Sequence, residues 1–345
     1  MRRIFLLISL VMLLALPVSA LDLTAPSAPD SAIEFMPKDT ESFGEGLWFV
    51  IKTAIAKLQP NLAEAMRVCV SLIAVALLSS FMHNLNTDSK IVNLVTVIAV
   101  ATLLIGPAKV FIQLGISTIT ELNEYGKLFL PVITAALAAQ GGVTGAATLY
   151  AGTVIFDTLL VSVITKFLIP MVNIYLCLCI LNAAVSEEIL KEIKSFVKWL
   201  MTWTLKIILY VFTGYISITG VISGSADAAA VKAAKLAISG FVPVVGGIIS
   251  DASETILVSA GMVKSTVGIY GVLAFLAICI GPFLRLGVQY LLLKATAAVC
   301  GMFAHKSASE LIKDFSGTLG FLLAMTGTVC LLLLISTVCF MKGMG

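Results

Sequence analysis

Residues 317–341 read GTLGFLLAMTGTVCLLLLISTVCFM, twenty-five residues without one charged side chain. A bilayer core about 30 Å thick is crossed by roughly 20 apolar helical residues. Lipid offers a backbone no hydrogen bonds, so an apolar run of this length satisfies its own amides and carbonyls as a helix. The rest of the chain repeats the pattern. Of its 345 residues, 59% are hydrophobic and 12% charged, and the mean hydropathy is +1.08. Soluble domains run near 45–50% apolar and about 25% charged. No soluble fold hides so much apolar surface, which leaves an all-α, polytopic helical membrane protein embedded in the lipid bilayer. Net charge is +3, with no basic tract, so nucleic acid is not an expected partner.

Working outward from the last span, residues 66–82, 91–112, 143–165, 167–185, 201–222, 266–284 and 286–303 are further apolar runs, and 128–139 is too short to cross alone. Residues 186–200, SEEILKEIKSFVKWL, alternate as an amphipathic helix. Ile189, Ile193, Phe196, Val197 and Leu200 share one face and Lys191, Lys194 and Lys198 the other, so the segment is expected to lie on the membrane surface. There is no strand periodicity. The expected total is about eight crossings.

The N-terminus, MRRIFLLISLVMLLALPVSA, has a positive start, an apolar run over 4–16 and a small-residue site at Val18-Ser19-Ala20. Residues 1–20 therefore read as a secretory signal peptide, which leaves the new N-terminus outside the cytoplasm after cleavage. Residues 21–64 follow as a short external segment and a lead-in helix anchored by Trp48. Residues 65–127 form a two-helix hairpin, 128–222 a first half, 223–240 a linker and 241–345 a second half. Placing the lysine-bearing stretches 83–90, 186–198 and 303–314 in the cytoplasm gives a consistent topology with both chain ends outside. Seven cysteines, Cys69, Cys177, Cys179, Cys279, Cys300, Cys330 and Cys339, all lie in apolar runs and form no CxxC, so they read as packing residues.

The two halves share a pattern. FLPV at 129–132 returns as FVPV at 241–244, so Pro131 and Pro243 are 112 apart, and so are Pro170 and Pro282. Glu188-Ile-Leu-Lys191-Glu192-Ile193 returns as Glu310-Leu-Ile-Lys313-Asp314-Phe315. Repeats with Pro- or Gly-interrupted segments in matching places mark the functional centre of many transporters. The expectation is a two-fold internal repeat with re-entrant segments broken at Pro131, Pro170 and Pro282.

Carboxylates inside such a chain point to chemistry. Asp157 lies mid-span in VIFDTLLV, where a charge is costly, and needs a protein partner or a polar cavity. Lys166, Lys206, Arg285 and Lys294 are candidates for that partner. It is either a polar-path or proton site or a paired structural residue. In FVPVVGGIISDASETI, 241–256, Pro243, Gly246 and Gly247 break the helix ahead of Asp251 and Glu254, which share one helical face. Broken backbone at membrane depth must be buried or line water, so this stretch is the leading candidate for a pathway or gate. The alternative is a capped external turn. His83 and His305 are isolated. There is no Ser-His-Asp set, Walker motif, HExxH or Rossmann fingerprint, so neither an enzyme, a cofactor nor a metal is expected.

The signal peptide, FLPV and FVPV, PVVGGIISDASETI and the long apolar helices together resemble the stage III sporulation protein AE family of endospore-forming Firmicutes. The resemblance implies a multi-pass protein in the mother-cell membrane around the engulfed forespore. It further implies partners: the other membrane proteins of the stage III A operon, a separate ATPase among them, and a forespore protein across the intermembrane space. The implied role is a non-enzymatic membrane subunit of a channel or secretion complex joining the two cells, acting as conduit or export-gate-like platform. A homo-oligomer is compatible with that role. Two other readings of the residues stay open. One is a secondary transporter of a small metabolite, proton-coupled through Asp157 or Glu254. The other is a structural scaffold for partner helices.

Overall fold

The computed structural model describes residues 25–37, 43–84, 89–139, 143–218, 266–303 and 306–343. A one-turn helix α1, Asp30–Ile33, is followed by α2, Phe43–Ala56, and α3, Gln59–Asn84. Helix α4, Ser89–Ala139, runs 51 residues without a stop. Helix α5, Val143–Val163, passes through a π-helical turn, Ile164–Leu168, directly into α6, Ile169–Val185. Then come α7, Glu188–Ile218, α8, Thr266–Phe303, and α9, Lys306–Gly343. No strand occurs among the described residues. The apolar runs thus form helices, as their length requires. Six of these are long and apolar enough to cross a membrane: Leu62–His83, Lys90–Ala138, Leu149–Val185, Glu188–Tyr215, Val267–Phe303 and Lys306–Met341.

Among the described residues the eight expected runs fall into six helices, and the merging has a physical cause. Breaks were expected where prolines or polar stretches interrupt apolar runs, and the helices continue through them. Pro107 and Pro131 lie inside α4, and Pro282 inside α8. A helical proline removes one backbone hydrogen bond, which kinks a helix without ending it when neighbouring helices hold it in place. The runs 91–112 and 128–139 are therefore one helix, and the boundary at 127/128 falls inside it. The runs 266–284 and 286–303 merge in the same way. Pro170 enters α6 at its first turn, just after the π turn, whose wider winding accommodates the proline ring. Likewise 186–200 is no separate surface helix but the start of α7. In both halves a long proline-bearing helix is followed, after a two-residue connection, by another long helix.

Helices α4, α8 and α9 form the centre. Gly115 of α4 meets Leu322 of α9, and Gly126 meets Leu333, eleven residues on in each chain segment, so the two helices run parallel. Helices α8 and α9 form an antiparallel hairpin: Ser309 Oγ donates to the Ala297 carbonyl at 2.8 Å and Ser316 Oγ to the Tyr290 carbonyl at 3.0 Å. At the far end of the α4–α8 contact the rings of Tyr125, Phe129 and Phe275 pack at 5.0 to 5.9 Å between centroids. Edge-to-face packing of this kind contributes about 0.5–1.5 kcal/mol per pair beyond area burial. Helix α9 is the most enclosed span, 72% buried against 28% for α3, whose outer side presents Val70, Leu77, Leu78 and Phe81. Such outward apolar side chains suit a lipid surround.

These contacts place the ends of α3, α6 and α8, and the starts of α4, α7 and α9, at one end of the bundle. That is where the lysine-bearing stretches lie. The other end is dressed by the N-terminal segment. Ser31 Oγ donates to Glu121 Oε2, Tyr125 Oη donates to the Pro26 carbonyl at 3.4 Å, and Lys57 pairs with Glu34. Helix α2 buries Phe43, Val50 and Ala54 while Trp48 stays exposed, as an interface anchor would.

Candidate functional site

Residues equidistant from a hairpin turn face each other across antiparallel helices. Asp157 of α5 stands fourteen residues after Val143, and Asn123 to Lys127 of α4 stand twelve to sixteen before Ala139. The structure brings them together. With the Asn123 amide oriented to satisfy both neighbours, its Nδ2 donates to Asp157 Oδ2 at 3.0 Å and its Oδ1 accepts from Lys127 Nζ at 3.2 Å. The charged groups are thus joined through an amide rather than by direct contact. Gly126 lies between them in sequence. A methyl there would sit 3.1 Å from Leu333 Cδ2 and 4.0 Å from Asp157 Oδ2, so the missing side chain lets α4, α5 and α9 close on the carboxyl. Asp157 is only 3% exposed, and its Oδ1 has no hydrogen-bond partner.

The partners differ from those expected. Lys166, Lys206, Arg285 and Lys294 do not reach Asp157. Lys294 turns to Tyr290, 3.1 Å from its hydroxyl, and Lys206 lies over the Trp203 ring. The residues missed were Asn123 and Lys127. Their signal is the stretch TELNEYGK, 120–127, a polar island in an apolar run, at the same distance from the turn as Asp157.

A second polar contact ties the opposite end. Lys194 Nζ of α7 pairs with Asp314 Oδ2 of α9 at 2.7 Å, with side chains 14% and 18% exposed. Tyr175 Oη of α6 donates to Asp314 Oδ1 at 3.4 Å. Three helices meet on one carboxylate there. Asp314 belongs to the second copy of the repeated motif and Lys194 directly follows the first copy, although the sequence does not reveal that they pair.

Of the other candidates, Pro131 and Pro282 sit within continuous helices and Pro170 follows the π turn. Pro243, Gly246, Gly247, Asp251 and Glu254 lie outside the described residues. Among the described residues no group of three or more His, Cys, Asp or Glu side chains gathers to hold a metal.

Comparison with known proteins adds a name to this architecture. The profile of the family described as stage III sporulation protein AE matches residues 33–343. The chain belongs to that family. Stage III sporulation protein AE of Bacillus subtilis (strain 168) is 22% identical over 214 residues, a match covering 62% of this chain and 54% of that protein. The aligned part is thus about half the length of that relative. No solved structure matches significantly. Membership establishes a sporulation protein, and the apolar helices make it a multi-pass membrane member of the family.

Proposed function

We propose that this chain is a non-enzymatic integral membrane subunit of the channel or secretion complex that links mother cell and forespore. It supplies the membrane conduit or the platform on which the other parts assemble. The observation that carries this reading is the family match across residues 33–343. The helical bundle supports it, since a subunit with six long apolar helices among its described residues and no nucleotide motif in its sequence suits a machine driven from elsewhere. On this reading the driving ATPase and the other stage III A operon membrane proteins are partners on the mother-cell side, and a forespore protein is met across the intermembrane space. The lysine-bearing end of the bundle faces the mother-cell cytoplasm, and the end dressed by the N-terminal segment faces the forespore.

An in-frame deletion in the native spore former tests this. Development is expected to stop after engulfment, and a fluorescent fusion that restores spores is expected to ring the forespore. Normal spores from the deletion strain would refute the reading. The buried Asp157 favours one competitor, proton-coupled transport of a small metabolite. That reading predicts uptake by the purified protein alone in liposomes, abolished by an uncoupler.

A further inference from the structure

Helices α4, α8 and α9 close on a small cavity where the three meet. Pro107 and Phe111 of α4, Gln289 of α8, and Phe315 and Thr318 of α9 line it. Its volume is ≈ 10 Å³, close to the roughly 10–15 Å³ that one water needs. The polar side chains nearby are already bonded. Ser316 Oγ donates to the Tyr290 carbonyl at 3.0 Å, Lys294 Nζ donates to Tyr290 Oη at 3.1 Å, and Thr318 Oγ1 donates to the Asp314 carbonyl at 3.2 Å. Gln289 is the exception. It is 3% exposed and makes no hydrogen bond to another described residue. It also stands fourteen residues, about 21 Å, from the nearer end of α8, deep in the span. A primary amide buried at that depth without a partner is costly, and the cavity it lines is where a partner fits.

We propose that this cavity is a binding site for one ordered water, held between the Gln289 amide and the Thr318 hydroxyl. The Thr318 proton is committed to the Asp314 carbonyl, so its oxygen is left to accept from the water. The amide offers both a donor and an acceptor. Two such partners are what a buried water requires. Size and charge select this guest over others. The space admits neither an acyl chain nor a metabolite. No charged side chain among the described residues lines it, and two neutral groups make a poor shell for a metal cation. The water joins α8 to α9 beside the proline of α4. A helical proline leaves the carbonyl one turn before it without an N–H partner, and ordered water is one of the means by which membrane helices keep such prolines. This inference stands on the cavity and its polar lining and is independent of the channel reading.

Radiolytic hydroxyl labelling of the purified full chain in liposomes tests it, because a bound water yields the radical beside the side chains it touches. Phe315 lines the cavity and is 2% exposed, so bulk water does not reach it. In the wild type, in sodium-free buffer, Phe315 is expected to be oxidised. Phe340, equally buried but twenty-five residues further along α9, is expected to stay unlabelled. Gln289→Leu should cut the Phe315 signal severalfold. It replaces a buried polar group by an apolar one of similar size, so it should fold. If it does not reconstitute, Thr318→Val decides, with the same fall expected. A wild-type chain in which Phe315 stays unlabelled overturns the proposal. So does a Phe315 signal unchanged by the deciding substitution. A signal that sodium abolishes overturns it too, since the guest would then be a metal cation.

Discussion

At the scale of single residues, the contact most open to measurement is Lys194–Asp314. Removing one partner leaves the other charge half-buried, so each single change is costlier than removing both. In a cycle of Lys194→Met, Asp314→Leu and the double variant, thermal unfolding in detergent should give a coupling of about 1–3 kcal/mol. Additive effects would show that the pair contributes nothing. Glycines divide in the same way. A methyl on Gly271 would overlap the Phe129 ring, whereas one on Gly287 meets nothing within 4 Å. Gly271→Ala should therefore cost about 1–3 kcal/mol through overpacking. Gly287→Ala should add about 0.5–1 kcal/mol by reducing the conformational freedom of the unfolded chain, and melting temperatures should move in opposite directions. Sequence disclosed Asp157 as anomalous because a carboxylate in VIFDTLLV has nowhere to go. It did not disclose Asn123 or Lys127, because a polar residue in a helix announces itself but not the helix it faces.

At the scale of elements, the spans were legible and their ends were not. An apolar run fixes that a helix exists, because lipid allows little else. A proline alone does not say where it stops, since Pro107, Pro131 and Pro282 all lie inside continuous helices. The pairing of elements can be tested directly. A Cβ on Gly115 would lie 3.9 Å from Leu322 Cβ, which is disulfide geometry. In a cysteine-free background, Gly115→Cys with Leu322→Cys should cross-link on mild oxidation, and Gly115→Cys with Leu333→Cys should not. Cross-linking of the second pair would mean that α4 and α9 do not run parallel in this register.

At the scale of the whole molecule, the two ends of the bundle differ in chemistry. One carries the lysine-bearing helix starts and the Lys194–Asp314 contact, the other the N-terminal segment and the polar island of α4. A membrane-impermeant thiol reagent should label a cysteine placed at Glu188 from the cytoplasmic side only, and one at Ser31 from the opposite side only. Labelling of both from one side would overturn the orientation. The length of α4 then has a mechanical consequence. Its 51 residues measure about 76 Å, and even at a tilt of about 40° they reach about 58 Å along the membrane normal, nearly twice the thickness of the hydrocarbon layer. Much of that rod stands clear of the lipid. A push or twist applied at one membrane face is carried, along one unbroken backbone, to a point well beyond the other.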